Sequence, residues 1–347
     1  MKKILVVLTG GTIGSMIEDN IINVSGNSPY KLLSLYEEQY GAECFDVIQP
    51  INILSENMTP EVWANLFHAI EQVDVTRYDG MIVTHGSDTL SYTAAFMGML
   101  FHHLPIPLIL VASNYPLGQE RSNGLSNFAN AVSFIRQDVA RGVFVIYRDG
   151  DGVNNVYLAT RLTEADPCFD QFSDFGQIPF GRMEEGKFIA GEGKYLPNKA
   201  QVEARREKIC EVPEKFDKKI LVIRPYPGMD YSQFNLFAND ALKRPVAVLH
   251  YLYHSATACM DEKTGEYGLL PFVRKCNEMG IDFYAASYKQ TEGKQYVTAD
   301  ALLQAGVIPM LNISVEAAYA KLMLVYHQKE PVTEEKTGQD FYFETIY

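Results

Sequence analysis

An apolar strand running into a turn of glycine and hydroxyl residues, then into a helix, recurs along this sequence, and a chain built that way has few folds open to it. Gly80, Met81, Ile82 and Val83 read as a buried strand. His85-Gly86 reads as a tight turn, and Asp88-Thr89 as the cap of an apolar helix through Ala94, Ala95, Met97 and Leu100. At the start of the chain, residues 3–8 predict another strand, followed by the turn Thr9-Gly10-Gly11-Thr12-Ile13-Gly14. Residues 45–53 predict a third strand, with Ser55 at its end. Thr59-Pro60-Glu61 then opens a helix that carries Trp63, Leu66, Phe67 and Ile70 on one face. Residues 108–111 and 143–147 add further strands. This alternation predicts an α/β fold with a doubly wound, mostly parallel sheet, whose ligands bind at the carboxyl ends of the strands. Ser87 and Asp88 stand at one such end and the glycine turn of residues 9–14 at another.

A chain of 347 residues, 47% hydrophobic, exceeds what one core usually supports. The composition shifts to Gly, Pro, Lys and Glu around residues 191–217, which predicts a linker. A larger N-terminal domain, residues 1–190, then precedes a smaller α/β domain, residues 218–347. In the latter, strands are expected near residues 220–223, 246–251 and 281–285, and helices near 269–279 and 315–326. The polar stretch of residues 13–30 suits either a mobile loop over the site or a plain surface connection, and periodicity does not separate the two.

With 43 acidic against 30 basic residues, the net charge is -13. Phosphate binding needs a basic face, so neither nucleic acid nor an anionic membrane is an expected partner. No apolar run is long enough to cross a bilayer, and the one after Lys2-Lys3 is broken by Gly10-Gly11 too early for a signal peptide. The five cysteines are scattered and odd in number, without the paired spacing of a zinc or redox site. They predict free thiols in a reducing cytoplasm. No cofactor or metal is expected. The first turn lacks the lysine of a P-loop and the full Gly-x-Gly-x-x-Gly of a dinucleotide site.

Taken together and in this order, Thr9-Gly10-Gly11-Thr12-Ile13-Gly14, Ser55-Glu56-Asn57-Met58-Thr59-Pro60 and Thr84-His85-Gly86-Ser87-Asp88-Thr89 resemble the bacterial L-asparaginase family, with the layout of its cytoplasmic (type I) branch. Arg121-Ser122-Asn123-Gly124 and the segments around Ala305-Gly306-Val307 and Glu316-Ala317-Ala318 extend the resemblance over nearly the whole chain. It implies an amidohydrolase that acts on the side-chain amide of asparagine or a related small amide through an acyl-enzyme, assembled as a homodimer or homotetramer. By resemblance Thr12 is the nucleophile, and Ser87, Asp88 and position 164 form a second catalytic cluster. Ser55 and Glu56 hold the α-carboxylate and α-amino group, and Gly11 and Gly86 bring the backbone against the substrate.

Several positions depart from the family. Ser87 stands where threonine is usual, which keeps the hydroxyl. The lid tyrosine falls on Ile21, with Tyr30 nearby. The family's lysine aligns with Glu164, or with Thr163 after a slip of one residue, and the chain has no lysine between Lys31 and Lys187. Glu164 beside Asp88 predicts a shared proton; turned to solvent, it predicts an ordinary ion pair with Arg161. Tyr253-His254-Ser255-Ala256-Thr257 replaces a glycine-rich segment of cytoplasmic relatives, while His85 and His254 read as structural. The hydroxyls and Asp88 favour an enzyme, whereas Ile21 and Glu164 favour a substrate-shifted or catalytically weak amino-acid-binding relative. The asparaginase-like component of a tRNA-dependent amidotransferase is disfavoured by the acidic charge and by a chain that starts directly on the first strand.

Overall fold

The computed structural model describes residues 2–11, 13, 16–18, 21–23, 28–205, 207–234, 244–260, 262–288 and 297–347. The chain forms two compact units, Met1–Lys215 with Phe341–Phe343, and Phe216–Asp340 with Glu344–Tyr347. Residues 191–215, within the expected linker, fall in the first unit. Among the described residues no helix is long and apolar enough to cross a membrane.

The first unit carries β1 (Lys3–Val7), a short ribbon of β2 (Met16–Glu18) and β3 (Ile21–Asn23), then β4 (Phe45–Ile48), β5 (Tyr78–Thr84), β6 (Leu108–Val111) and β7 (Val143–Arg148). It continues with β8 (Asn154–Leu158), β9 (Leu162–Asp166), β10 (Gln171–Asp174), β11 (Gly181–Glu184) and β12 (Lys187–Ala190). Its main sheet has the order β12-β11-β8-β7-β6-β5-β1-β4. The strands β4, β1, β5, β6 and β7 are parallel, and β8, β11 and β12 continue the sheet antiparallel. The parallel strands are almost wholly apolar because helices cover both faces. Every residue of β6 is fully buried, as are Met81, Ile82 and Val83 of β5. The chain leaves β1 for the sheet edge at β4 and returns on the other side of β1 as β5, so the order reverses between β1 and β5. Open sheets bind ligands at such a switch point.

The helices of this unit are α1 (Ser28–Tyr40), α2 (Pro60–Glu71), α3 (Leu90–Phe101), α4 (Gly124–Arg136) and α5 (Lys199–Ala204). Thr59 caps α2 by accepting from the Val62 N–H, with proline at the first helical position, as the sequence predicts. Thr89 departs from its expected role: it is the residue before α3, but its side chain caps nothing there. All of α3 is buried except Tyr92, which is half-buried. A helix apolar on every side belongs in an interior, and here one phenol is its outlet.

Residues 341–343 complete this unit's core. Tyr342 is fully buried, and its ring stacks on His102 at 4.9 Å between centroids. The Tyr342 hydroxyl accepts from the Val143 N–H at 3.3 Å, and the Tyr342 carbonyl accepts from Thr160 Oγ1 at 2.6 Å.

The second unit is a parallel sheet of β13 (Ile220–Ile223), β14 (Ala247–Tyr251), β15 (Asp282–Tyr288) and β16 (Ile308–Leu311), in that order. Its helices are α6 (Leu269–Glu278), α7 (Val297–Gln304), α8 (Val315–Tyr326) and α9 (Glu334–Gly338). Val248, Phe283, Leu269 and Val273 lie in its core. Lys321 of α8 is buried, and its ammonium meets the buried Glu344 carboxylate at 2.7 Å and donates to the Gln339 carbonyl. An unpaired charge at that depth would cost several kcal/mol, about 3–5 on breaking the pair, so the two side chains are explained by each other. The fold is thus mixed α/β with a large, mostly parallel sheet and a second, smaller one, as the alternation of elements predicts.

Candidate active site

Three turns meet at the switch point. After β1, Gly10 and Gly11 take φ of +97° and +74°, the left-handed region that glycine enters at no steric cost. The Gly11 N–H donates to the Ile53 carbonyl at 2.8 Å, and the Ile53 N–H to the Thr9 carbonyl at 3.0 Å, which ties this turn to the segment following β4. Thr9 Oγ1 donates to the Thr84 carbonyl at 2.6 Å, tying it to β5 as well. A methyl group on Gly11 would lie 2.8 Å from the Gly86 nitrogen. One on Gly86 would strike Ser55 Oγ and sit 2.7 Å from Ser55 Cβ. The glycines at 11 and 86 therefore let residues 9–11, 53–57 and 85–88 touch.

Ser55 is 4% exposed at the start of a single 3-10 turn, Ser55–Asn57. Its Oγ lies 3.4 Å from Asp88 Oδ2 and donates to it. Thr89 Oγ1 donates to the Ser55 carbonyl at 2.9 Å, which is where the hydroxyl expected to cap α3 is used. Glu56 is exposed beside Ser55, and Asp88 is exposed beside the half-buried Ser87. The structure thus brings together Gly11, Ser55, Glu56, Gly86, Ser87 and Asp88. Thr12 lies outside the described residues. So do the side chains of Ile21 and Tyr30.

His85 is 1% exposed, and burial pushes its pKa down to about 4. The neutral ring donates from Nδ1 to the Gly86 carbonyl at 2.8 Å and so holds the turn. His254 lies in an exposed turn of the second unit.

A cleft of about 550 Å³ opens beside Ser87 and Asp88, and Asn114, Tyr115, Glu164 and Asp170 also line it. Glu164 is exposed on β9, and its carboxylate accepts from the Tyr92 hydroxyl at 2.8 Å. Thr163, its neighbour in the shifted register, instead donates to the Ser173 carbonyl across the β9–β10 ribbon at 3.1 Å. Arg161 is buried, with its guanidinium donating to the carbonyls of Phe343 and Tyr195 at 2.6 and 2.7 Å. Asn114 is fixed by a reciprocal pair: its backbone N–H donates to the Asn123 side chain at 2.9 Å, and the Asn123 N–H to the Asn114 side chain at 3.0 Å. That exchange joins the turn after β6 to the start of α4.

Behind the wall of residues 166–170, Asp149 is buried and accepts from Tyr157, Asn155 and the Phe172 N–H. Burial outweighs those bonds and raises its pKa to about 6. Asp170 accepts from the Tyr147 hydroxyl at 2.5 Å. Sequence reading overlooked Tyr92, Asn114, Tyr115 and this aspartate–tyrosine network. A phenol on an otherwise apolar helix was a usable signal for Tyr92, whereas the others lie in irregular segments without periodicity.

A family model described as asparaginase, N-terminal, matches residues 3–192. The chain is 26% identical over 334 residues to a glutamyl-tRNA(Gln) amidotransferase subunit of Thermococcus kodakarensis, an alignment that covers 93% of this chain and 71% of that protein. It is also 26% identical over 349 residues to the corresponding protein of Pyrococcus furiosus, covering 97% and 74%. Among solved structures, the L-asparaginase of Thermococcus kodakarensis superposes with a TM-score of 0.77 at 22% identity, over 99% of both chains. L-asparaginase I of Vibrio cholerae gives a TM-score of 0.77 at 24% identity, over 100% of this chain and 99% of that one. At these identities the superpositions speak to the fold. Together with a family model that spans more than half of the sequence, they establish that this chain belongs to the asparaginase family.

Proposed function

We propose that the protein is a cytoplasmic amidohydrolase of the type I layout, a homodimer or homotetramer that hydrolyses the side-chain amide of asparagine or a related small amide. The observation that supports this reading is the meeting of Gly11, Ser55, Gly86 and Asp88 where the strand order reverses. In this mechanism Thr12 Oγ adds to the amide carbon, its proton passes to the amide nitrogen, the C–N bond breaks and ammonia leaves. Water then adds to the ester, the proton returns to the Thr12 oxygen, and the acid is released. Ser87 and Asp88 serve the proton transfers. A carboxylate beside a bound ammonium makes a charge-assisted bond, the task assigned to Asp88 and Glu56. Ser55 donates to the α-carboxylate, and the Gly11 and Gly86 turns lie against the substrate.

A second reading draws on the relatives' names: the chain is an amidotransferase-type component that releases ammonia for another protein. Asparagine, glutamine and their D-isomers, each incubated with the purified chain, separate the two through the ammonia set free. Steady release that Thr12→Ala abolishes supports the stand-alone hydrolase. Release that needs a second protein supports the amidotransferase reading, and an active Thr12→Ala protein moves the nucleophile elsewhere.

A further inference from the structure

Beside Ser87 and Asp88 the cleft has two walls from segments far apart in sequence: Asn114 and Tyr115 after β6, and residues 164–168 and 170 of the β9–β10 ribbon. A two-stranded ribbon is marginal in water by itself, so the place of its tip is set by what it rests on. Here it rests on a buried phenol. Tyr147 stands near the carboxyl end of β7, which runs parallel to β6, and is fully buried with its ring edge-to-face on Phe172 at 4.8 Å. Its hydroxyl donates to Asp170 Oδ1 at 2.5 Å. Burial, and then this bond, hold the phenol far above its usual pKa, so it stays a donor; the Asn123 side chain, close to the same hydroxyl, works the other way. Asn123 is also the residue that exchanges bonds with Asn114. One hydroxyl thus stands between the supports of both walls. The ribbon tip needs such a hold, because Asp170 has a φ of +53°, a left-handed backbone that costs an aspartate strain. Gly150 lies so close to the tip that a methyl group there would strike the Phe169 carbonyl oxygen.

Resting on the amidohydrolase reading, we infer that Tyr147 is a positioning residue of this site: through Asp170 and Asn123 its hydroxyl sets the spacing of the two walls, and with it the seat of the amide beside Ser87 and Asp88. It touches no reacting atom. Asp170 serves as the acceptor that the phenol needs, and its charge is not used on the substrate. Breaking the bond frees the ribbon tip and removes contacts that substrate and transition state share, so KM rises while kcat holds. A tyrosine that served stability alone would behave differently. Its loss would shrink the folded fraction, which lowers the apparent kcat and leaves KM unchanged.

The test uses the full chain and asparagine, with ammonia release giving kcat and KM. Tyr147→Phe keeps the ring and removes the donor; KM should rise about tenfold, the scale of one hydrogen bond to a charged group, with kcat within about threefold of native. Asp170→Gly suits the left-handed backbone but offers no acceptor, and should raise KM equally. Asp170→Asn keeps that backbone and a side-chain carbonyl for the phenol, so its KM should stay within about threefold of native, a neutral acceptor making the weaker bond. Joining Tyr147→Phe to Asp170→Gly should be no worse than either alone, because both remove one interaction. Tyr157→Phe is the control for stability: Asp149 keeps its bonds from Asn155 and the Phe172 N–H, so the melting temperature should fall and KM should not change. A native KM in either Tyr147→Phe or Asp170→Gly overturns the inference and leaves the amidohydrolase reading standing. So does an Asp170→Asn protein as impaired as Asp170→Gly, which would make the charge of Asp170 the active feature. If Tyr147→Phe does not fold, the two Asp170 variants decide. If the native chain releases no ammonia, the amidohydrolase reading falls, and the Kd for asparagine, measured by calorimetry, replaces KM with the same order of variants expected. A native chain that does not bind asparagine refutes the inference as well.

Discussion

Gly86→Ala is the smallest perturbation that tests how the three turns meet. Gly86 is not among the residues of positive φ, so its backbone tolerates alanine and any effect has to come from contact. The added methyl would strike Ser55 Oγ and lie 2.7 Å from Ser55 Cβ, whereas carbon atoms prefer about 3.5–4.0 Å. Relief requires a shift of about 1 Å in one of the two turns, and overpacking of this kind costs about 1–3 kcal/mol. At about 2–4 °C per kcal/mol for a unit of this size, the melting temperature should fall by several degrees. The Ser55–Asp88 hydrogen bond is already long at 3.4 Å and should break. A misplacement of about 1 Å near the chemistry costs on the order of a hundredfold in kcat/KM. The distances also specify the rescue. Ser55→Gly in the Gly86→Ala background removes both obstructing atoms and should recover stability to within about 1 kcal/mol, the value of the lost hydrogen bond. Ser55→Ala leaves the Cβ in place and should not. A Gly86→Ala protein with native melting temperature and native turnover would refute the close approach, and failure of Ser55→Gly to restore stability would show that the methyl meets something else.

Glu164→Lys should raise turnover of free asparagine about tenfold, the scale of one acid–base contribution, with a smaller gain from Glu164→Gln; a fall in rate on lysine substitution makes Glu164 part of a working relay. Burial raises the Asp174 pKa from 3.8 to about 7, so the folded state holds a proton that the unfolded chain releases. Asp174 therefore contributes stability, on the order of 4 kcal/mol, that is fully present below about pH 4 and lost as pH rises through about 7, and the difference in stability between the native protein and Asp174→Asn should follow that course in denaturant melts. His85, neutral by burial with a pKa of about 4, should show no change in its imidazole NMR shifts between pH 8 and pH 6. A titration in that window would mean that the ring reaches solvent or a charge.

Most of the parallel half of the large sheet was legible because β1, β5 and β6 each hold a continuous apolar run that leads into a turn with glycine or a hydroxyl. Residues 4–8, 81–83 and 108–111 have nothing polar to confuse the reading. Its antiparallel extension was not legible. β11 alternates buried and exposed residues over only four positions, and β9 reads as charged loop until it is paired with β10. One local signal was there to use: Glu185 and Gly186, both at positive φ (50° and 73°), make the two-residue turn that joins β11 to β12. At the candidate site the sequence named the groups carried by strand-end turns, Ser55, Ser87 and Asp88 among them. It could not name partners set by tertiary approach. The choice of Thr89 Oγ1 between capping α3 and bonding the Ser55 carbonyl depends on a segment more than thirty residues away in sequence. Tyr92 reaches Glu164 across 72 positions, a separation no periodicity records.

The stacking of Tyr342 on His102, with Thr160 bonded to the Tyr342 carbonyl and Arg161 to that of Phe343, sets an order on biosynthesis. Domains tend to fold as they emerge from the ribosome, the N-terminal one first. Here the unit formed by residues 1–215 stays without part of its interior until residue 343 has been made. In the meantime His102, Thr160 and Arg161 present a vacant slot to the nascent chain's surroundings. Nascent chains halted before residue 341 should therefore be open to protease attack around residues 159–161, and lengthening them past residue 343 should close that window.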